Sequence, residues 1–318
     1  MRKMPIFFVI LIVLLLVVVI AKDQIIKSAF ITAAAQITGA KVSIDKFSLG
    51  VFKQSVRIEG FKMYNPQGFS NSVLVDLPKI AVDCNLPSLL KGKLHLKLLE
   101  IELKEITLEK NKEGKMNVDS LKVTEQKEAK SEDKKKSPQQ LPLQIDVLNL
   151  QMERLVLKEY TLSQAPQVKV YTIGLKKSYK DITNAQQLAA LILAEPMKQA
   201  GIQGAKIYTA ALLTGVGVIP ITIASKFIGK NSLKQKFEVA IDKLYEVSLE
   251  VLKVSGKIVH EDKSAKTIVA DCQGIKVTLK LKELSSRSTE ITASARNLMM
   301  PKPEIASGIM YQISEKLK

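Results

Sequence analysis

Cys84, Cys272, His95 and His260 are the only cysteines and histidines in a chain of 318 residues that has no Trp. Thiolate nucleophiles, imidazole bases and zinc sites are built from these two residue types, and each needs them held close together. Here they stand one by one, at spacings that suit neither a zinc ligand set nor a disulfide framework. His260 is followed by Glu261 and Asp262, which puts acid–base ingredients in a row. No nucleophile lies near it in sequence, so its plain reading is a solvated histidine where a strand meets a turn. ASKFIGKN (Ala224–Asn231) approaches a phosphate-binding loop but lacks the first Gly and the Ser or Thr after Lys230. Cys84 alternates with Ile80, Val82 and Leu86, and Cys272 with Ile268 and Ala270, as small apolar strand residues do. The residues therefore point to no enzyme, no catalytic group, no metal and no cofactor. The chemistry left is desolvation, worth about 0.8 kcal/mol for each CH₂ removed from water.

Charge narrows the partners. Lys and Arg number 48 against 31 Asp and Glu, a formal +17, yet aromatics are 5% and the excess is spread along the chain rather than clustered. A nucleic-acid binder concentrates its bases on one face with aromatics for stacking, so nucleic acid is not the expected partner. An even, lysine-rich surface suits anionic lipid headgroups or plain solubility.

The elements that would hold a lipid begin at the amino end. Pro5–Ala21 is 17 uncharged residues behind Arg2 and Lys3, about 26 Å of helix at 1.5 Å per residue, near the lower limit for a bilayer span. Phe7, Phe8, Leu11, Leu15 and Val18 are its anchor residues. The flanking charges predict a cytoplasmic amino end with the rest translocated. Cleavage after Ala21 is the alternative, although the run is long for a signal peptide. No Cys follows it to take a lipid. Ile25, Ile26, Ala29, Phe30, Ala33 and Ile37 then recur at helical spacing behind Asp23-Gln24, until Gly39 stops the helix.

From Lys41 the period changes to 2, the mark of half-buried strands: Val42 and Ile44, Val56 and Ile58, then Ile80, Val82, Cys84 and Leu86. LKLLEIELKEITLEK (96–110) and IDVLNLQMERLVLKE (145–159) superpose at a constant offset of 49, apolar site on apolar site. Residues 44–51, resuming at Val56 and Ile58, form a looser third copy. In each copy the alternation slips twice. The first slip reads as a bulge, the second, near Lys104-Glu105, as a tight hairpin turn. One-sided strand repeats either stack on a helix or curl into an open groove. The candidate lipid contacts are Ile101, Leu103, Ile106 and Leu108 with their counterparts Leu150, Met152, Leu155 and Leu157, each of which serves equally well as ordinary core.

The stretch to about residue 200 resembles the AsmA-like proteins of Gram-negative inner membranes, relatives of bridge-like lipid transfer proteins. The likeness is carried by ITGAKVSIDKFSLGVFKQSVRIEGFKMYNPQGF (37–69), with a turn at Asn65–Phe69, and by LPSLLKGKLHLKLLEIELKEITLEKNKEGKMNVDSL (86–121), with a Gly-x-x-Asn turn at Gly114–Asn117. It implies a membrane-anchored, lipid-related envelope protein without enzymatic activity. With about three copies of the strand unit, the chain is too short for a bridge across the periplasm.

Lys122–Leu141 is charged and proline-containing and reads as a solvated insertion at 122–142 within the β domain. Lys134-Lys135-Lys136 sits beside Glu132 and Asp133, which favours a solvated loop over a lipid clamp. Asn184–Ile202 reads as a helix interrupted at Pro196. Ile207–Ile228 carries one charge and a Gly215-Gly217-Pro220 centre, and is either a second membrane span or a broken helical hairpin. From Ser232, a helical stripe through Phe237, Ile241, Leu244, Ser248, Val251 and Leu252 leads to strands at 257–261, 267–272, 275–283 and 289–295, then a helix bearing Ile305, Ile309, Ile313 and Leu317. This α-β-β-β-β-α order resembles a small domain of bacterial lipoproteins.

The expected fold is α+β: an anchor at 1–22, a mostly antiparallel β-groove domain with packing helices at 23–203, a hydrophobic segment at 204–231, and a two-layer domain at 232–318. The expected function is lipid binding by an inner-membrane-anchored, periplasm-facing protein that supports lipid transport or envelope homeostasis. Membrane lipids are its partners, with other envelope proteins as a second class. The alternative is a structural scaffold whose carboxyl module recruits a partner protein.

Overall fold

A computed structural model describes residues 23–85, 87–88, 91–122, 142–160, 165–202 and 232–318. The amino-terminal anchor, nearly all of the 122–142 insertion and nearly all of the 204–231 segment lie outside the described residues. Among those described, no helix is long and apolar enough to cross a membrane. The fold is α+β. Cα packing divides the described chain into two units, one of 23–106, 117–153 and 173–202, the other of 107–116, 154–172 and 232–318.

In the first unit, helix α1 (23–38) ends at Gly39, whose φ of +71° is open to glycine at little cost. Seven strands follow: β1 (Val42–Ser43), β2 (Lys46–Gly50), β3 (Ser55–Tyr64), β4 (Val73–Cys84), β5 (Leu94–Lys110), β6 (Leu143–Glu159) and β7 (Gln167–Ile182), of which residues 107–110, 154–159 and 167–172 count with the second unit. They form one sheet in the order β1-β3-β4-β5-β6-β7, with β2 also on β3. β1 to β5 pair antiparallel. β5 and β6 differ: Leu94 N bonds Pro142 O, and Tyr160 N bonds Lys110 O. Start lies beside start and end beside end, so these two strands run parallel.

The expected bulge is present. The β4–β5 register shifts between Asp83, opposite Leu98, and Cys84, opposite Leu96, which leaves Lys97 as the extra residue. The hairpin expected near Lys104-Glu105 is absent, and β5 is one 17-residue strand. Alternation fails there because Ile106, Thr107, Leu108 and Glu109 are buried on both faces, and a strand covered on both sides has no polar side to alternate with. Only the looser copy turns, through Val51–Gln54 between β2 and β3. Helix α2 (Ala185–Gln199) is capped by Asn184 Oδ1, which accepts from Gln187 N at 2.7 Å. It runs unbroken through Pro196, correcting the expected interruption. The proline sits in the last turn, so it removes a single hydrogen bond close to the helix end.

The second unit contains a six-stranded sheet of β8 (Leu233–Phe237), β9 (Lys257–Asp262), β10 (Thr267–Cys272), β11 (Ile275–Ser285), β12 (Ser288–Asn297) and β13 (Met300–Pro301). Helices α3 (Ile241–Ser255) and α4 (Pro303–Lys316) pack against it and each other. The four middle strands fall where the sequence places them. Phe237 does not begin a helix. It closes β8, pairs with Thr289 and joins the core, so the order is β-α-β-β-β-β-β-α. An alternating pair such as Leu233 and Phe237 also satisfies an i, i+4 spacing, which is how the strand passes for a helical turn. Gly256 and Gly308 mark close approaches: a Cβ would overlap the carbonyl oxygen of Asp271 at the first and of Val168 at the second.

Candidate functional site

The sheet of the first unit has two unlike faces, fixed residue by residue through its register. On one face Phe47 pairs with Ile58, Ile58 with Ile80, and Ile80 with Ile101, and beside that row run Leu49, Val56, Val82 and Leu99. Pairing of like with like across these four strands makes a continuous apolar surface. On the other face Glu59, Lys79 and Glu102 form a row next to Arg57, Ala81 and Glu100. Lys79 Nζ meets Glu102 Oε1 at 2.9 Å, which raises the Lys79 pKa. This polar face carries a shallow depression of about 440 Å³ that continues to Asn149, Gln151, Lys176 and Ser178.

Two helices meet the apolar face. α1 reaches it at β2, where the Phe30 and Phe47 rings lie 6.5 Å apart. α2 reaches it at β7, where Glu195 holds Lys177 at 2.6 Å. Between these margins cover is uneven. Ile58, Ile80, Leu99, Ile101 and Leu103 are buried, whereas Phe47, Leu49, Val56 and Val82 are half-buried.

Of the residues the sequence nominates, Ile101, Leu103, Ile106, Leu150 and Met152 are buried in the first unit. Leu108, Leu155 and Leu157 are buried in the second unit. Phe47, Leu49 and Val56 belong to the looser third copy, yet neither they nor Val82 are singled out until the register sets them beside Ile58, Ile80 and Leu99. Phe7, Phe8, Leu11, Leu15 and Val18 lie outside the described residues.

Other residues singled out by type take structural roles. His95 Nε2 approaches Asp146 Oδ2 at 2.8 Å, and together with Gln144 it holds the Asp146 carboxyl below its ordinary range. The offset of the repeat foreshadows this contact, since it brings β5 and β6 side by side. His260 is exposed within β9, opposite Val269. Its neighbours are occupied, Glu261 by the Tyr245 hydroxyl and Asp262 by Ala265 N and Ser264 Oγ. Cys84 donates to Gln54 O, and Cys272 is buried in the core of the second unit. Among the described residues no three His, Cys, Asp or Glu side chains are grouped to hold a metal ion.

The turn at Asn65 and the turn at Asn117 are directly joined. Asn117, with none of its surface exposed, donates from Nδ2 to Asn65 Oδ1 at 2.7 Å, and Asn65 donates in turn to Ser72 Oγ. These are the two turns on which the family resemblance rests, and they form one clasp at the end of the sheet. A family model, that of the AsmA family, matches residues 1–304. The chain belongs to the AsmA family. AsmA membership points to an envelope-related, lipid-associated role, and the match takes in residues of both units. No curated protein matches the chain.

Proposed function

We propose that this AsmA-family chain is a non-enzymatic, inner-membrane-anchored protein that faces the periplasm and shields lipid acyl chains on its apolar sheet face. The observation that carries this reading is the half-buried strip of Phe47, Leu49, Val56 and Val82, which continues the buried apolar rows without a polar interruption. Apolar surface of this kind favours burial at roughly 25 cal/mol for each Å² removed from water, which suits an acyl chain laid along the strip. Family membership, the uncharged run Pro5–Ala21 and the scatter of Cys and His support the same reading. Support of lipid transport and envelope homeostasis follows as the role, with membrane lipids as partners and no nucleic acid.

A photoreactive residue placed at Val82 in the full-length chain should crosslink phospholipid in native membranes, and the same residue at Lys79 on the polar face should not. Equal labelling at both positions, or none at Val82, would sink the proposal. Native mass spectrometry offers a second check. Lipid that co-purifies with the wild type should be lost in Leu103→Asp/Met152→Asp, provided that the variant's circular dichroism spectrum stays native.

A further inference from the structure

Phe52 is the most exposed large apolar side chain among the described residues, at 103% of its reference surface, with Val51 beside it at 47%. Both sit on the tip between β2 and β3, and the tip is braced: Gln54 N bonds Val51 O, and Gln54 O accepts from Cys84 N at 2.8 Å. Their exposure is thus a property of a held turn. A globular protein gains nothing by presenting a phenylalanine to water on a fixed projection, and such features mark contact surfaces.

The chain itself indicates what covers the tip. Asp23 Oδ1 accepts from Leu49 N at 3.1 Å, which pins the first residue of α1 beside the base of the hairpin. Leu49 lies three residues from Phe52, and Asp23 two residues from Ala21, where the uncharged run ends. At no more than about 3.6 Å per residue, each interval is under about 11 Å. An anchor ending at Ala21 therefore brings the tip to the membrane surface. Ile25, at 68% exposure, and Ile26, at 36%, occupy the first turn of α1 at the same place. Exposed Lys53 and, on the β4–β5 connection at this end of the sheet, exposed Lys91 and Lys93 supply positive charge for anionic headgroups.

We infer that the Val51–Phe52 tip, with Ile25 and Ile26, inserts into the headgroup–acyl boundary of the bilayer that holds the amino-terminal run, and so fixes the foot of the sheet on that membrane. The inference rests on the anchor proposed above. Aromatic and aliphatic side chains flanked by Lys are the composition that interfacial insertion requires.

The absence of tryptophan makes the test direct, because a single introduced indole is the sole source of its emission. Full-length Phe52→Trp and, as a control in the carboxyl module, Val259→Trp are reconstituted in vesicles of phosphatidylethanolamine and phosphatidylglycerol. After flotation, the tip variant should emit to the blue of the control and lose most of its intensity when brominated acyl chains replace ordinary ones, while the control stays unchanged. Protein that floats with the tip indole as water-exposed and unquenched as the control indole overturns the inference and leaves the anchor standing. Protein that does not float overturns the anchor, and this inference with it.

Discussion

Asn117 shows how much a single side chain settles in this fold. A fully buried carboxamide is tolerated only where its donors and acceptors are met, and here it closes the Asn65 turn and accepts from Val118 N. Asn117→Ala should lower stability by about 1–3 kcal/mol, read from urea unfolding of the full-length chain in detergent. Gly308→Ala should cost about as much, because an added methyl group meets backbone rather than a yielding side chain. Burial pushes the Cys272 thiol up to about 11, with Asp271 adding to the effect. The folded thiol stays protonated where the unfolded one ionises. Its contribution to stability is complete below the ordinary thiol pKa and lost as pH rises toward about 11. The urea midpoint should therefore fall between about pH 8 and about pH 10.5, less so in Cys272→Ala. In the folded chain at neutral pH, a maleimide should label Cys84 well before Cys272. The sequence exposes the apolar character of both cysteines through alternation; it does not disclose the Asn65–Asn117 bond, because two turn residues 52 positions apart carry no periodic mark.

At the scale of elements, alternation and offset reveal the strands, the bulge near Leu98 and the kinship of β5 with β6. They mislead where a strand is covered on both faces, as at Ile106–Glu109, and where a short strand imitates a helical turn, as at Phe237. The register yields a sharp contrast in deletions. Lys97 is the extra residue of the bulge, so removing it should leave the faces of Leu99 to Lys110 in place and the protein folded. Lys104 lies inside an unshifted register, and removing it turns every later side chain of β5, or every earlier one, to the opposite face. The first deletion should retain a native circular dichroism spectrum and protease resistance; the second should have neither. The candidate lipid strip was only partly legible. Its buried half comes from the two close copies of the repeat, while its half-buried part, most of it in the looser copy, depends on which strands become neighbours, a long-range fact that local pattern does not hold.

For the whole molecule, the parallel pairing of β5 and β6 constrains the connection between them. Lys122 lies against Gly39, at the end of the sheet where Val42, Met63, Val75 and Ile106 are aligned, while Pro142 lies beside Leu94 at the other end. From row 106 to row 94 is about 40 Å at ~3.3 Å per residue, a span that takes at least about twelve residues of extended chain. A segment that composition presents as a dispensable insertion thus has a minimum length. Removing about five residues from 123–141 should leave expression and folding intact, and removing about twelve should abolish both, as judged by yield and thermal melting. The return to the starting end has a geometric meaning as well. A hairpin reverses direction, and stacking another on it produces alternation; a strand that comes back to its own beginning produces pure translation, one strand spacing of about 4.8 Å sideways. The 49-residue offset acts as a step that can be applied again without turning the sheet over, and its product keeps each kind of side chain on its own side however many times it is applied. Growth by duplication would lengthen such a surface at its edge while leaving the foot, and whatever membrane it stands on, unchanged.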